Sequence, residues 1–342
     1  MQDVGTSTTA GPFVDCDVHL GPKAERSLRE RLPDRWRDHP LSFPRGNWSG
    51  PRAVEDVTDL GASYLDPNGV DVAVTTGAEP VLRAGACPDR RYAAALCSAY
   101  NDWLLEEGLA GDQRLRGSIA VAQTDPSRAA AEIERVGGHD RVVQVIMGSG
   151  TLVSLGNERY WPIYEAACAH DLPVAVHAGA EGLGVANPNT AAGFPSTAVE
   201  RHAVVPANFM GQLLNLVLEG PFVEYPDLQV VLIGCGYSWL PSFCWRIDKC
   251  WKGLRDDFPW VERPPSEYVR DHMFVVADRL DEPAIPAHVE TMLEMAWGED
   301  VIMYGSNYPR WNRHEPTDGF PDIDERLRDA ILGETARSLY DL

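Results

Sequence analysis

The stretch FVDCDVHL, residues 13–20, is the first apolar run of the chain and carries three polar side chains at alternate positions. Alternation along a β-strand places Asp15, Asp17 and His19 on one face, and the residues between them on the other. Two carboxylates and an imidazole that converge at a strand end form half of a metal or acid–base site. The alternative is an exposed edge strand with solvated charges, but the flanking residues have the composition of a buried strand. We therefore predict a buried strand that carries part of a functional site.

Short apolar runs recur along the chain, and segments long enough for a helix separate them. Eight such runs cover residues 13–20, 70–76, 115–122, 142–147, 173–178, 229–234, 273–277 and 301–305. Eight strands that alternate with helices predict a single (β/α)8 barrel, a TIM-like α/β fold. A doubly wound sheet is the rival, but no glycine-rich phosphate loop follows the first run. We expect the barrel to occupy residues 13–342, behind a flexible N-terminus of residues 1–12.

Two segments, residues 32–67 and 180–205, are long and irregular in pattern. Long loops within a compact domain usually form lids over a site or contacts between subunits. The first of them is rich in Pro, Trp and Arg, and it contributes to our expectation that the protein forms a homodimer.

The 342 residues carry a formal net charge of −21, with 44% hydrophobic and 24% charged residues. This acidity argues against nucleic acid and anionic membrane surfaces as partners, because both need a basic patch. No apolar stretch reaches the roughly 18 residues that span a bilayer, and the N-terminus lacks the order of a signal peptide. The seven cysteines form no C-x-x-C pair. A reducing cytoplasm is the consistent compartment.

The fifth run continues as VAVHAG at residues 174–179 and places His177 at the end of a strand. In a barrel of this type, the C-terminal ends of the strands line the active site. A lone histidine in such a run is more often a core residue, but Asp17 and His19 occupy the matching place on the first strand. One carboxylate and two imidazoles leave a fourth position open, which is the pattern of a catalytic zinc with bound water. Asp17, His19 and His177 are therefore the predicted metal ligands.

Further candidates follow the ends of the later strands: His202, Cys235, Arg279, Asn307, Arg310 and Trp311. Each of the two arginines can hold a substrate carboxylate in bidentate geometry, or else form an ion pair with an acid at the rim. His202, in the loop after the fifth strand, offers an acid or a base. Cys235 is a candidate substrate contact. A nucleophilic role for its thiol would need a neighbouring base, and the sequence places none nearby.

Seven motifs follow one another along the chain: DCDVH at 15–19, YWPIYE at 160–165, HAG at 177–179, WLP at 239–241, WRIDK at 245–249, RPPSEY at 263–268 and GSNYP at 305–309. Together they resemble the amidohydrolase superfamily, in the branch of metal-dependent hydrolases and decarboxylases related to aminocarboxymuconate semialdehyde decarboxylase. The resemblance runs from about residue 14 to residue 342. It is specific for the fold and the superfamily, and less so for the reaction.

The resemblance implies a distorted barrel with one divalent ion, usually zinc, held by Asp17, His19 and His177. In the family an aspartate ends the eighth strand, where this chain has Asn307. The sixth strand of the decarboxylases carries a catalytic histidine, and that of nearer relatives a glutamate, where this chain has Gly234.

These substitutions change the chemistry that the resemblance implies. The family's aspartate accepts a proton from metal-bound water, and the amide of Asn307 cannot. Asn307 still offers a carbonyl oxygen to a metal or a hydrogen bond to a substrate, and Gly234 leaves space for a larger substrate. The His-Trp-Asp that follows in relatives reads RWN at residues 310–312. Ordinary hydrolysis is therefore disfavoured.

Two alternatives remain open for the site. In the first, the three ligands bind a metal that acts as a Lewis acid on a carbonyl or carboxylate, while His202 or Asp15 moves protons. In the second, the site has lost its metal, and the same residues act as acids and bases or only bind a ligand.

We predict a cytoplasmic bacterial enzyme that acts on a small carboxylated or cyclic organic molecule by a non-hydrolytic step in specialised metabolism. The reactions that fit are decarboxylation, another lyase step, and a cyclisation or rearrangement. A conventional zinc-dependent hydrolase is the alternative within enzymes. A catalytically inactive barrel that serves as a ligand-binding protein is the alternative outside them.

Overall fold

The computed structural model of the protein describes residues 11–22, 25–37, 57–188, 190, 193–277, 281, 283–310, 313 and 323–342. The predicted flexible N-terminus lies outside this part of the chain except for its last two residues. Residues 38–56 of the first irregular segment, and the candidates Arg279 and Trp311, also lie outside the described residues.

Eight parallel strands form one sheet in the order of the sequence. They are β1 Val14–Val18, β2 Val72–Thr75, β3 Leu115–Ala120, β4 Val142–Gly148, β5 Val174–His177, β6 Val230–Ile233, β7 Met273–Ala277 and β8 Ile302–Tyr304. The backbone N–H of His19 donates to the carbonyl of Tyr308 at 2.8 Å, and Val18 pairs with the same residue, so the last strand returns to the first. The predicted (β/α)8 barrel is confirmed.

Helices connect the strands and cover the outside of the barrel. They are α1 Glu25–Arg31, α2 Asp34–Arg37, α3 Val57–Leu60, α4 Asp66–Asn68, α5 Glu79–Leu82, α6 Arg90–Trp103, α7 Pro126–Val136, α8 Trp161–Ala169, α9 Ala198–Leu218, α10 Pro221–Glu224, α11 Leu240–Leu254, α12 Pro265–His272, α13 His288–Met295, α14 Gly298–Val301, α15 Glu325–Asp329 and α16 Thr335–Tyr340. Short 3₁₀ or π turns extend several of these helices, among them Leu104–Gly108 after α6 and Ala330–Glu334 before α16.

The strands are apolar along most of their length because the sheet is covered on both faces, as in other parallel sheets. Every residue of β5 and β6 is buried. The chain's C-terminal helix is tied to this core, since the Tyr340 hydroxyl donates a buried hydrogen bond to Gln144 of β4 at 2.8 Å. Among the described residues, no helix combines the length and the apolar character needed to cross a bilayer.

Asp15 of β1 joins the first strand to the turn after the last one. Its Oδ1 accepts hydrogen bonds from the backbone N–H of Asp17 and of Ser306, each at 3.0 Å, and its Oδ2 accepts from the Tyr64 hydroxyl at 2.6 Å. Burial raises the pKa of the Asp15 carboxyl, and these hydrogen bonds oppose that shift. We call Asp15, Tyr64 and Ser306 the seam. Its hydrogen bonds fix β1 to the turn that follows β8.

Replacement of Asp15 by alanine should destabilise the barrel. Three buried donors would lose their acceptor, and because each such loss costs about 1–3 kcal/mol, we expect the free energy of unfolding to fall by about 3 kcal/mol or more. Urea unfolding followed by circular dichroism measures the change. Asp256→Ala, at an exposed position, is the matched control. Equal stability of the two variants would show that the seam does not hold the barrel together.

Candidate metal centre

The three predicted ligands meet at the C-terminal end of the barrel. Asp17 is the last polar residue of β1, and His19 follows two residues later. His177 is the last residue of β5. The Oδ1 atom of Asp17 lies 3.6 Å from Nε2 of His19 and 3.5 Å from Nε2 of His177. All three side chains are buried, and each offers a ligand atom within 4.8 Å of the others. This cluster, Asp17, His19 and His177, is called the triad below.

Hydrogen bonds to backbone carbonyls orient both imidazoles of the triad. The Nδ1 atom of His19 lies 3.0 Å from the carbonyl oxygen of Gly77, and Nδ1 of His177 lies 2.8 Å from that of Ala178. A carbonyl oxygen only accepts, so each Nδ1 carries the hydrogen and donates it. In the neutral ring the lone pair is then on Nε2, which faces the other members of the triad. This is the orientation that a metal-binding histidine needs.

Burial decides the charges within the triad. It lowers the pKa of His19 to about 3, with a further contribution from the positive charge of Arg310, so this imidazole is neutral at physiological pH. Burial also disfavours the charged form of Asp17, but the neighbouring His19 and His177 and the Thr76 hydroxyl hold the pKa of its carboxyl below the usual range. The Thr76 hydroxyl donates to Asp17 Oδ1 at 2.5 Å. The triad therefore presents one carboxylate beside a neutral ring.

Two buried polar atoms of the triad have no hydrogen-bond partner among the described residues. These are Oδ2 of Asp17 and Nε2 of His177. Buried polar atoms almost always have a partner, and an unpartnered one calls for an explanation such as an ion. Both atoms are Lewis bases, the three residues offer ligand atoms within 4.8 Å of one another, and one carboxylate with two imidazole nitrogens suits a divalent transition metal. The residues present thus fit a divalent cation.

Asn307 joins the triad from the turn after β8. Its side-chain oxygen lies 2.9 Å from Nε2 of His19, and its backbone is left-handed, with φ of 57°. Since Nε2 of neutral His19 is itself an acceptor, the contact is favourable when the amide presents its NH₂ group. The amide oxygen would otherwise be available to a bound cation. The sequence prediction that Asn307 reaches the site agrees with this position, and its catalytic role stays a prediction.

Gly234 follows β6 with φ of +79°, a conformation that side chains rarely adopt. A Cβ atom added there would lie 3.2 Å from Cβ of Ala178 and 3.9 Å from Cε1 of His177. The missing side chain would therefore start beside an imidazole of the triad. The contact with Ala178 would be tight, and the prediction that Gly234 leaves space for substrate stays a prediction.

The remaining candidates lie at varying distances from the triad. Arg310 is close enough for its charge to act on His19, whereas both carboxylate oxygens of Asp15 are engaged in the seam. Cys235 is buried, and its thiol donates to the carbonyl of Gly236 at 3.4 Å. The roles predicted for these three side chains stay predictions.

His202 belongs to a helix and not to the loop that the sequence predicted. Helix α9 starts at Ala198, because the Thr197 hydroxyl accepts from the backbone N–H of Glu200 and caps it, and the helix continues through Pro206. The His202 side chain is exposed. Its neighbour Arg201 forms an ion pair at 3.3 Å with the buried Glu181. The first turn of α9 is therefore held against the loop that follows His177.

Three residues that support the triad were not predicted from the sequence: Thr76, Gly77 and Glu181. The first two follow β2, so the rule that strand ends line the site would have found them, although neither is a typical catalytic type. Glu181 accepts a hydrogen bond from the backbone N–H of Gly179 at 2.8 Å and another from the Ser149 hydroxyl. The sequence gives no periodic signal for it, because it lies in an irregular loop.

Comparison with known proteins adds a family and several relatives. A family model described as Amidohydrolase matches residues 14–342. Gamma-resorcylate decarboxylase from Polaromonas sp. is 26% identical over 320 residues, which cover 87% of this chain and 92% of that protein. Two solved structures, both with bound manganese, share the fold.

One is 5-carboxyvanillate decarboxylase from Novosphingobium aromaticivorans in complex with 4-hydroxy-3-methoxy-5-nitrobenzoic acid. It has a TM-score of 0.71 at 18% identity, over 98% of this chain and 97% of that one. The other is dihydroxybenzoic acid decarboxylase from Polaromonas sp. with the inhibitor 2-nitroresorcinol. It has a TM-score of 0.68 at 20% identity, over 97% of each chain.

Removal of one triad imidazole should abolish metal binding. For His177→Ala we expect the affinity for zinc or manganese to fall by more than about a hundredfold, because even supporting residues of metal ligands contribute 10–100-fold. Elemental analysis of the purified protein and calorimetric titration of the chelated protein measure the binding. His288→Ala, which removes an exposed imidazole, is the control. Undiminished metal content in His177→Ala would place the metal elsewhere.

Proposed function

The chain belongs to the amidohydrolase family, and we propose that it is a metal-dependent decarboxylase of a small aromatic carboxylate. The family match covers nearly the whole chain. The relative at 26% identity and the two manganese-bound structures are decarboxylases by name. Among the non-hydrolytic reactions expected from the sequence, decarboxylation is the one that these relatives support. Cyclisation and rearrangement have no supporting observation.

The neutral side chain of Asn307 beside His19 is the observation that carries the proposal. Hydrolysis at a metal centre needs a base that takes a proton from the attacking water. The amide of Asn307, 2.9 Å from Nε2 of His19, cannot be that base, and Gly234 offers no side chain. A reaction that needs no activated water is compatible with this set of residues. The conventional zinc hydrolase is therefore the less favoured alternative.

The triad would hold the cation, and the surrounding residues would orient the substrate. When bound, a divalent cation supplies positive charge that attracts carboxylate and hydroxyl oxygen atoms. Zinc, expected from the sequence, and manganese, held by the solved relatives, both suit nitrogen and oxygen donors. We propose that Arg310 binds the substrate carboxylate and that Asn307 positions a substrate oxygen by hydrogen bonding.

Decarboxylation breaks the bond between a ring carbon and the carboxylate carbon. The electron pair stays on the ring carbon, which takes up a proton, and carbon dioxide leaves. We propose His202 as the group that delivers this proton, because the Arg201–Glu181 ion pair holds the first turn of α9 beside the loop after His177. The source of the proton would then be a side chain near water, while the triad stays buried.

The homodimer expected from sequence stays a prediction.

Activity assays distinguish decarboxylation from hydrolysis. Incubation with dihydroxybenzoates and 5-carboxyvanillate should release carbon dioxide and shift the ultraviolet spectrum of the ring. Chelation should stop the reaction, and Asp17→Ala should lower kcat/KM by about a hundredfold to a thousandfold, the range seen when a charge-stabilising group is removed from an active site. Robust turnover of simple esters or lactones that a chelator abolishes, with no decarboxylation, would refute the proposal.

Asn307→Asp tests the role of the amide directly. The side chains have the same shape, and both residue types tolerate the left-handed backbone found here. A second carboxylate beside His19 should tighten binding of zinc or manganese by about tenfold, since it adds a charged ligand. Asn307→Ala, which removes the amide without adding charge, should weaken it. Calorimetric titration with metal measures both. Identical affinities in all three proteins would show that residue 307 does not face the cation.

A further inference from the structure

A groove on the outside of the barrel, between helices α6 and α7, combines positive charge with an apolar floor. We call it the α6–α7 groove. Its inner cavity has a volume of about 330 Å³ and is lined by Arg35, Arg91, Ala94, Ala95, Cys97, Ser98, Val121, Ala122, Arg128, Ala129, Ala131, Glu132 and Arg135. An adjoining hollow of about 520 Å³ is lined by Pro88, Asp89, Arg90, Arg91, Asp125 and Arg128. Arg91 and Arg128 line both spaces and so lie where they meet.

The charge of this groove is opposite to that of the chain, which carries 51 acidic and 30 basic residues. Four arginines line the inner cavity, and Glu132 is the single acid among its lining residues. That carboxylate accepts hydrogen bonds from Ser98 at 2.5 Å, from Asn101 at 2.8 Å and from two nitrogens of Arg135. Glu132 is thus neutralised within the protein.

The two acids of the outer hollow are also engaged. Asp89 accepts from the backbone N–H of Arg91 and of Tyr92 and caps α6. Asp125 caps α7 in the same way and pairs with the Arg128 guanidinium at 2.5 Å. Both carboxylates cap the N-termini of the helices that carry Arg91 and Arg128. The groove keeps a positive balance, because Arg35 and Arg91 have no carboxylate partner within the described part of the chain.

Arg35 packs against an aromatic ring, and Arg91 is exposed. The guanidinium of Arg35 lies 5.2 Å from the centroid of the Trp36 ring, and that ring contacts Tyr92 of α6 at a centroid distance of 5.6 Å. Arg91 is exposed in the first turn of α6. Guanidinium groups bind carboxylates and phosphates through paired hydrogen bonds. Two arginines that have no acidic partner among the described residues are therefore suited to an anionic group.

The floor between the arginines is built from small apolar side chains. Ala94 and Ala95 come from α6, and Ala129 comes from α7. We propose that the α6–α7 groove binds a small organic anion, with its carboxylate or phosphate at Arg35 and Arg91 and its apolar body over these alanines. The proposal does not depend on the proposed decarboxylation, because the groove lies between two helices outside the strand ends that carry the triad.

Calorimetric titration at constant ionic strength tests this site with three probes: phenyl phosphate, benzoate and inorganic phosphate. Phenyl phosphate or benzoate should bind saturably, and whichever binds more tightly identifies the anionic group. The double variant Arg35→Ala/Arg91→Ala should weaken that binding by about tenfold or more, the factor expected for lost charge-assisted hydrogen bonds. Both positions are exposed, so the variant should fold normally.

Two controls separate this site from the triad and from general charge effects. Benzoate that binds in the groove should still bind to the Asp17→Ala variant, whose metal centre is impaired. Arg246→Ala removes an exposed arginine from α11 and should leave binding unchanged. The proposal is overturned if neither organic probe saturates, if Arg246→Ala weakens binding as much as the double variant, or if inorganic phosphate binds as tightly as phenyl phosphate.

Discussion

The barrel and its metal centre both depend on one buried carboxylate. Asp15 accepts from the backbone N–H of Asp17, on the same first strand, and from that of Ser306, in the turn after the eighth strand. The residues at these contacts belong to the candidate metal centre, since Asp17 is a candidate ligand and Asn307 follows Ser306. A change in the seam would therefore move the carboxylate and the amide relative to each other. Fold closure and site geometry are the same constraint in this protein.

Burial changes the pKa values, and so the charges, of the side chains in the triad. Removal from water keeps His19 neutral, while the Thr76 hydroxyl helps Asp17 to remain ionised. A divalent cation bound by this set would face a single carboxylate, because residue 307 is an amide. The centre would then keep a net positive charge toward the open side. Such a centre favours an anionic substrate over a neutral one, since the attraction between opposite charges is strong where water is excluded.

Local patterns in the sequence predicted the strands and the triad, because alternation and strand-end position are properties of short segments. The seam was not predictable in this way: Ser306 is 291 residues from Asp15, and the partnership of Tyr64 with Asp15 spans 49 residues. The start of α9 was also missed, since Pro206 is an ordinary helix breaker and hides a helix that runs through it. Contacts between distant strands of the barrel cannot be predicted from local sequence patterns. Nor can the packing that tolerates Pro206 within a helix.

The neutral amide also constrains where protons must come from. Decarboxylation needs no base for water, but the ring carbon must receive a proton, and no member of the triad can supply it while its nitrogens and oxygens hold a cation. Asp15 is committed to the seam, and Gly234 has no side chain. The donor must then come from an element that borders the centre without belonging to it. Helix α9 satisfies this condition through the Arg201–Glu181 pair, and for this reason His202 in that helix is the donor in the proposed decarboxylation.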